Sequence, residues 1–261
     1  MDTLSIYFIN MGAVTIMMVL GWLVSLKVKN VTLVDSLWGM GFVLIAWLCL
    51  VLGDGGALRG RLLVAITTIW GLRLTIYLTW RNWGKGEEPR YGAWRSRHGN
   101  RFRLVSLYKV FLVQALFMWV IALCLQFGIL TPAPARLTWL DGLGLMVWTV
   151  GFFFETIGDW QLARFKSDPS NLGRVINRGL WAYTRHPNYF GEILVWWGIY
   201  LMVLSAPGAW WTLISPAVIT LVLLKMTGVV LTEKTILTTR PHYREYMRKT
   251  SALVPWFPKR S

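Results

Sequence analysis

The chain alternates long apolar runs with short, mostly basic connections. A helix needs about 20 predominantly apolar residues to cross a hydrocarbon core. Seven stretches meet or approach that length: Leu4–Leu26, Ser36–Gly53, Leu62–Trp80, Val105–Leu130, Leu137–Leu162, Tyr189–Leu204 and Ala209–Leu231. The sixth is the shortest, and the third carries Arg73 in its middle. No repeat, low-complexity segment or soluble second domain interrupts the series. The pattern predicts an all-α polytopic membrane protein, a seven-transmembrane-helix bundle forming one domain over residues 1–261. No A-x-A site follows the first run, so it reads as a span and not as a cleaved signal.

Composition supports lipid as the main solvent. Hydrophobic residues make up 55% of the chain and charged residues 15%, against roughly 25% charged in soluble domains. The 17 tryptophans suit a protein with many apolar-to-headgroup boundaries. Cys49 and Cys124 lie inside apolar runs and read as small buried hydrophobes. The net charge of +15 could point to nucleic acid, but so much lipid-facing surface argues against it. Anionic headgroups of membrane lipids and phosphate-bearing cofactors fit better.

The cations also orient the bundle. With seven spans, the loops after spans one, three and five share a side with the tail. Those segments hold Lys27, Lys29, Arg81, Lys85, Arg90, Arg95, Arg97, Arg101, Arg103, Arg164, Lys166, Arg174, Arg178, Arg185, Lys234, Arg240, Arg244, Arg248, Lys249, Lys259 and Arg260. The opposite side shows Arg59, Arg61 and Arg136. Lys and Arg gather on the cytoplasmic side, which predicts an outer N-terminus and a cytoplasmic tail.

Polar groups inside such spans are expensive and need partners or a cavity. Asp35 opens the second span and reads either as a helix cap or first-turn acid, or as a functional carboxyl. Arg73 calls for a buried partner. Glu155 and Asp159, four residues apart, share one helix face at the inner end of span five. Asn188 and Glu192 form a second such pair at the start of span six, where Pro187 suits the first helical turn. Between the pairs runs a basic loop with Arg164, Lys166, Arg174, Arg178 and the stretch Tyr183-Thr-Arg-His-Pro-Asn-Tyr. A basic loop alone is a topology signal. Flanked by acids and amides, it suits a ligand with phosphates at one end and a neutral hydrogen-bonding ring at the other. The tail repeats the theme with His242, Tyr243, Tyr246, Arg248 and Lys249. No G-x-G-x-x-G follows a strand, no P-loop or G-x-S-x-G occurs, and Gly53, Gly55 and Gly56 sit in a short outer loop. Three dispersed histidines give no metal-ligand spacing.

The run Gly179-Leu-Trp-Ala-Tyr-Thr-Arg-His-Pro-Asn-Tyr-Phe-Gly-Glu192, following Asp159-Trp-Gln-Leu-Ala-Arg-Phe-Lys166, resembles the steroid 5α-reductase family, in its bacterial branch. The resemblance is strong from about Glu155 to Pro255 and weaker over Asp35–Phe42 and Arg73–Asn82. It implies a seven-helix enzyme, here of a bacterial inner membrane, that uses NADPH to reduce the 4,5 double bond of 3-oxo-Δ4 steroids or related enone lipids. It places Asp159, Lys166, Arg174, Tyr183, Asn188 and Glu192 at cofactor positions, with Arg164 and His186 in the same runs. Tyr243, Tyr246 and Arg248 fall near the family's cofactor lid. Glu155 joins the groups that orient the nicotinamide. Asp35 matches the carbonyl-facing acid, whereas the family's partner tyrosine falls near Trp70, which has no hydroxyl.

A similar Arg-His-Pro-x-Tyr run occurs in membrane isoprenylcysteine methyltransferases, which add paired glutamates and a Tyr-x-x-Tyr tail. Here the later position reads Glu233-Lys234, and Tyr243-Arg-Glu-Tyr246 is present. A SAM-dependent methyltransferase is therefore the alternative, and a non-catalytic lipid-binding protein the third reading. The implied reductase chemistry needs a hydride donor and an electrophilic clamp on the carbonyl oxygen. The cofactor supplies the first and the protein the second. Asp35 fills that role as a protonated carboxyl.

Overall fold

The computed structural model describes residues 1–53, 57–226, 229–240 and 242–259. The chain is helical with no strand among the described residues; one isolated bridge joins Thr184 to Ser251. Five helical segments are long and apolar enough to cross a membrane: Thr3–Val28, Leu33–Leu52, Leu58–Asn82, Pro89–Ile121 and Trp139–Ser167. They match the first five predicted spans, each within a few residues except the fourth. That segment starts earlier, because the basic helix Pro89–His98 runs into it. The sixth run forms a 17-residue helix, Pro187–Val203. The seventh gives the shorter apolar helix Ala209–Lys225, and its end includes Thr227 and Gly228, outside the described residues. Gly55, Gly56 and Arg260 also lie outside them.

The expected single domain divides into two compact units, Met1–Thr138 with Val203–Ile214, and Trp139–Met202 with Ser215–Ser261. The first contains α1 (Thr3–Val28), α2 (Leu33–Leu52), α3 (Leu58–Asn82), α4 (Pro89–His98), α5 (Phe102–Ser106), α6 (Val113–Ile121) and α7 (Leu123–Leu130). A π-helical turn, Leu107–Leu112, links α5 to α6. Asp2 caps α1 by accepting the Ser5 N–H at 2.8 Å. Lys29, in the left-handed region with φ 53°, closes the other end. At the α2–α3 crossing, a Cβ on Gly39 would lie 2.2 Å from the Gly71 carbonyl oxygen, so the two backbones touch. Phe42, Ile45, Leu63 and Trp70 of these two helices are buried, and the Phe42 and Trp70 rings lie 5.6 Å apart.

Polar side chains from separate helices meet inside this unit, where burying them alone is costly. Asn10 Nδ2 donates to Gln126 Oε1 at 2.9 Å and to Cys49 Sγ at 3.1 Å. Arg73 lies over the Tyr77 ring, 5.4 Å from its centroid. Both cysteines are buried.

The second unit is organised by α8 (Trp139–Ser167) and α9 (Pro187–Val203), followed by α10 (Ile214–Leu221, whose first residue belongs to the other unit), α11 (Val229–Thr239) and α12 (Tyr243–Lys249). Gly144, Gly151 and Gly158 recur every seven residues on α8, opposite Gly198, Gly191 and the start of α9. A seven-residue spacing keeps small residues on one helix face. Here it brings the backbones together: a Cβ on Gly191 would lie 2.3 Å from the Glu155 nitrogen, and one on Gly144 2.6 Å from the Gly198 carbonyl oxygen.

Candidate functional site

In the second unit, the close crossing of α8 and α9 positions the predicted acid and amide groups. Glu155 lies one turn beyond Gly151, and Asp159 follows Gly158, whose Cβ would meet the Asn188 nitrogen at 3.1 Å. Glu155 and Asp159 are 2% and 4% exposed. Asn188 Nδ2 donates to Asp159 Oδ1 at 3.1 Å, joining the two predicted pairs. Pro187 is the first residue of α9, as expected of a residue without an N–H. Glu192 sits one turn after Asn188 and is half-buried.

The connecting loop packs on the end of α8. Trp181 Nε1 donates to the Gly158 carbonyl at 3.1 Å, and the Leu180 N–H donates to Gln161 Oε1 at 3.0 Å. Phe165, Ile176 and Trp181 form a small buried cluster beneath it. Gly179 adopts φ 62°, and a Cβ there would meet the Gln161 amide at 2.4 Å, so this turn needs glycine.

The loop then ends in an arrangement that residue spacing does not reveal. Arg185 is buried. Its Nε donates to Glu233 Oε1 at 2.7 Å, and its Nη1 donates to the carbonyls of Met247 at 3.1 Å and Thr250 at 2.6 Å. His186 Nε2 lies 3.1 Å from the same Glu233 oxygen, and its ring stacks on Tyr189. The Tyr243 hydroxyl reaches that oxygen at 3.5 Å. Burial raises the Glu233 carboxyl pKa, but the hydrogen bonds and charges of His186 and Arg185 outweigh it and leave the group below the usual glutamate range. Burial, with Glu233 alongside, pushes the Tyr243 phenol up. Tyr246 donates to the Trp181 carbonyl. Thr184 Oγ1 donates to the Leu253 carbonyl at 2.7 Å, and the Trp256 N–H to the Tyr183 carbonyl at 3.0 Å. These bonds fasten residues 243–256 onto residues 181–186.

The predicted site residues therefore separate into three sets. Glu155, Asp159, Asn188 and Glu192 share the helix crossing. His186, Tyr243 and Tyr246 are buried in the loop-to-tail junction. Arg164, Lys166, Arg174, Arg248 and Tyr183 are exposed. Arg164 lies over the Trp160 ring, and Arg240 donates to the Arg174 carbonyl. Glu233 and Arg185 were legible only as one half of a motif and one cation among many.

In the first unit, Asp35 is in the first turn of α2, as one reading expected, although Thr32 is the cap residue and makes no side-chain cap. Its carboxylate lies 3.6 Å from Arg81 Nη2. Glu88 and Arg90 also act on it electrostatically, and the Asn82 amide approaches. Tyr91, next to Arg90, is buried. The loop before α4 is fixed by Glu87, which accepts two Arg95 bonds at 2.7 and 2.8 Å and the Val31 N–H at 2.9 Å. Burial raises the Glu87 pKa, but these donors and the Arg95 charge hold it below the usual range. Trp70 is fully buried against Phe42. Among the described residues no group of three His, Cys, Asp or Glu is placed to hold a metal ion.

A helical membrane protein with polar clusters at helix ends is thus defined by fold and site. Residues 21–250 match a family described as a protein of unknown function, DUF1295, and the chain belongs to that family. It is also similar to an uncharacterized protein of Schizosaccharomyces pombe, with 28% identity over 261 aligned residues, covering 90% of this chain and 75% of the relative. No solved structure matches.

Proposed function

We propose that the chain is an NADPH-dependent oxidoreductase that reduces the carbon–carbon double bond of an enone lipid, in a membrane with the basic loops on the inner side. The observation that carries this reading is the joining of Glu155, Asp159 and Asn188 at one helix crossing, in a unit whose loops expose Arg164, Lys166, Arg174 and Arg248. The donor set fits a dinucleotide: carboxylates and an amide for a carboxamide ring, guanidinium and ammonium groups for phosphates. NADPH, when bound, supplies the hydride.

Asn188, oriented by Asp159, would hold the ring amide, and Glu155 and Glu192 would exclude alternative ring orientations. Arg174 and Lys166 would bind phosphate oxygens. Asp35 and the neighbouring Arg81, 3.6 Å apart, are the candidates for polarising the carbonyl. Asp35 would serve as a donor to substrate when protonated, and otherwise would position Arg81 for that role. Asp35→Asn keeps a donor but loses the ion pair; Asp35→Ala loses both.

Thermal unfolding of the purified protein with NADPH, with S-adenosylmethionine and with neither tests the reading. A ligand at 100 times its Kd stabilises the folded state by about 2.7 kcal/mol. NADPH should stabilise and S-adenosylmethionine should not, and Arg174→Ala should weaken NADPH binding far more than lipid binding. Stabilisation by S-adenosylmethionine alone would reassign the chain as a methyltransferase. Stabilisation by neither would remove both readings.

A further inference from the structure

In the second unit, α8 carries its own measure of the bilayer. From Trp139 to Trp160 it rises about 32 Å, at about 1.5 Å per residue, close to a hydrocarbon thickness of about 30 Å. Both tryptophans are exposed, and Met146, Val150 and Phe153 face outward between them. The acids of that stretch, Asp141, Glu155 and Asp159, are buried. The exposed cations Arg164 and Lys166 follow just beyond Trp160. Tryptophans gather at the headgroup layers of a membrane, so Trp160 lies at one of the two.

The end of the chain is tied to that level. Trp181 donates to the carbonyl of Gly158, two residues before Trp160. Two residues after Trp181, the Tyr183 carbonyl receives the Trp256 N–H. The Thr184 hydroxyl holds the Leu253 carbonyl, and the Lys259 N–H donates to the Lys249 carbonyl at 2.9 Å. The Phe257 ring packs edge-on against Tyr183, with centroids 6.1 Å apart. This fastened strap nevertheless presents Val254, Trp256 and Phe257 outward, 59%, 70% and 76% exposed. Residues 243–259 carry four cations and one acid. That acid, Glu245, is taken by Lys249 at 2.9 Å, so the charge left over is positive.

We infer that residues 254–259 are an interfacial anchor: Trp256 and Phe257 enter the headgroup–acyl boundary of the leaflet at the Trp160 level, and Lys259 meets anionic headgroups. The occupant is lipid because the strap is fixed at a headgroup layer and its rings are of the kind that layer favours. The excess of cations complements an anionic leaflet, and binding of this kind depends on lipid composition. The anchor goes beyond the cofactor reading and stands without it.

The test places a nitroxide on Val254→Cys in the full chain, in nanodiscs of phosphatidylcholine with and without phosphatidylglycerol. Collisions are compared for oxygen, which concentrates in lipid, and for a nickel chelate, which stays in water. Cys49 and Cys124 are buried, and the unaltered chain sets the labelling background. Met146→Cys on the outward face of α8 and Ser170→Cys on the exposed loop beyond it give the lipid and water limits. The oxygen-to-nickel ratio at 254 should lie several-fold above that at 170. Trp256→Ser with Phe257→Ser should bring it down to the value at 170. Phosphatidylglycerol should raise the ratio, and Lys259→Gln should remove that increment. A ratio equal to that at 170, or one that the double variant leaves unaltered, would overturn the anchor. Shielding from both reagents would mark a protein cover and overturn it too, as would shielding that appears only with NADPH. A ratio indifferent to phosphatidylglycerol would remove Lys259 from the assignment.

Discussion

Replacing Glu233 by Ala removes one oxygen that receives Arg185 at 2.7 Å, His186 at 3.1 Å and Tyr243 at 3.5 Å. The side chains of Arg185 and Glu233 are only 9% and 12% exposed, so little water screens the pair. Removing one partner of a buried pair costs about 3–5 kcal/mol. Arg185 retains the Met247 and Thr250 carbonyls, which places the loss at the lower end, about 3 kcal/mol. At 1.4 kcal/mol per tenfold, local opening of the junction should rise about a hundredfold.

Trypsin cleavage after Arg244 and Arg248, under conditions where opening is fast relative to cleavage, reads that population. The double variant Arg185→Met with Glu233→Leu should cost less than the two single changes together, because it leaves no buried charge. Cleavage within threefold of the unaltered chain, or full additivity in the double variant, would refute the pairing. The acid side gives a second check. The Glu233 carboxyl is depressed in the folded state, so its contribution is complete at neutral pH and is lost as the pH falls through the folded value, below the ordinary 4.5. Arg185, His186 and Tyr243 are the titratable groups facing it. With His186→Gln as background, the stability gap to Glu233→Gln should narrow only in that acid range.

Two further changes test the helix packing and the loop before α4. Gly191→Val pushes a side chain against the Glu155 backbone, where a Cβ alone would lie at 2.3 Å. Because backbone cannot rotate aside, thermal unfolding should show a loss of about 3 kcal/mol or more, whereas Gly142→Ala, with nothing within 4 Å, should be nearly silent. Glu87→Ala removes the Arg95 bonds and the acceptor of the Val31 N–H. Arg95 is partly exposed, so the loss should be about 1 kcal/mol, seen as faster hydrogen exchange at Val31; unchanged exchange would count against the clamp.

The helices were legible because lipid imposes a length and a composition on them. The first five apolar runs became helices of spanning length, and the prediction of Pro187 as a first-turn residue held. The four-residue pairs Glu155–Asp159 and Asn188–Glu192 also led to a real cluster, since helical spacing fixes which side chains share a face. What spacing cannot supply is which cation meets which acid. In sequence Arg185 is one cation among many in the basic loops, and only the fold brings it to Glu233, 48 residues away. Asn10 and Gln126, 116 residues apart, are single polar residues within apolar runs and carry no periodic signal at all. The spacing around Asp35 gives no sign of Arg81, whose guanidinium the fold sets 3.6 Å from its carboxylate.

The fastening of residues 243–256 onto residues 181–186 sets an order of assembly during synthesis. Arg185 leaves the ribosome 65 residues before Thr250, the residue whose carbonyl receives its guanidinium. At about 5–20 residues per second, that interval lasts about 3 to 13 seconds. Over this time a charged group destined for burial waits in water beside the bilayer. The junction closes only after the last of these partners emerges, so the neighbouring helix crossing acquires its finished surroundings late in synthesis.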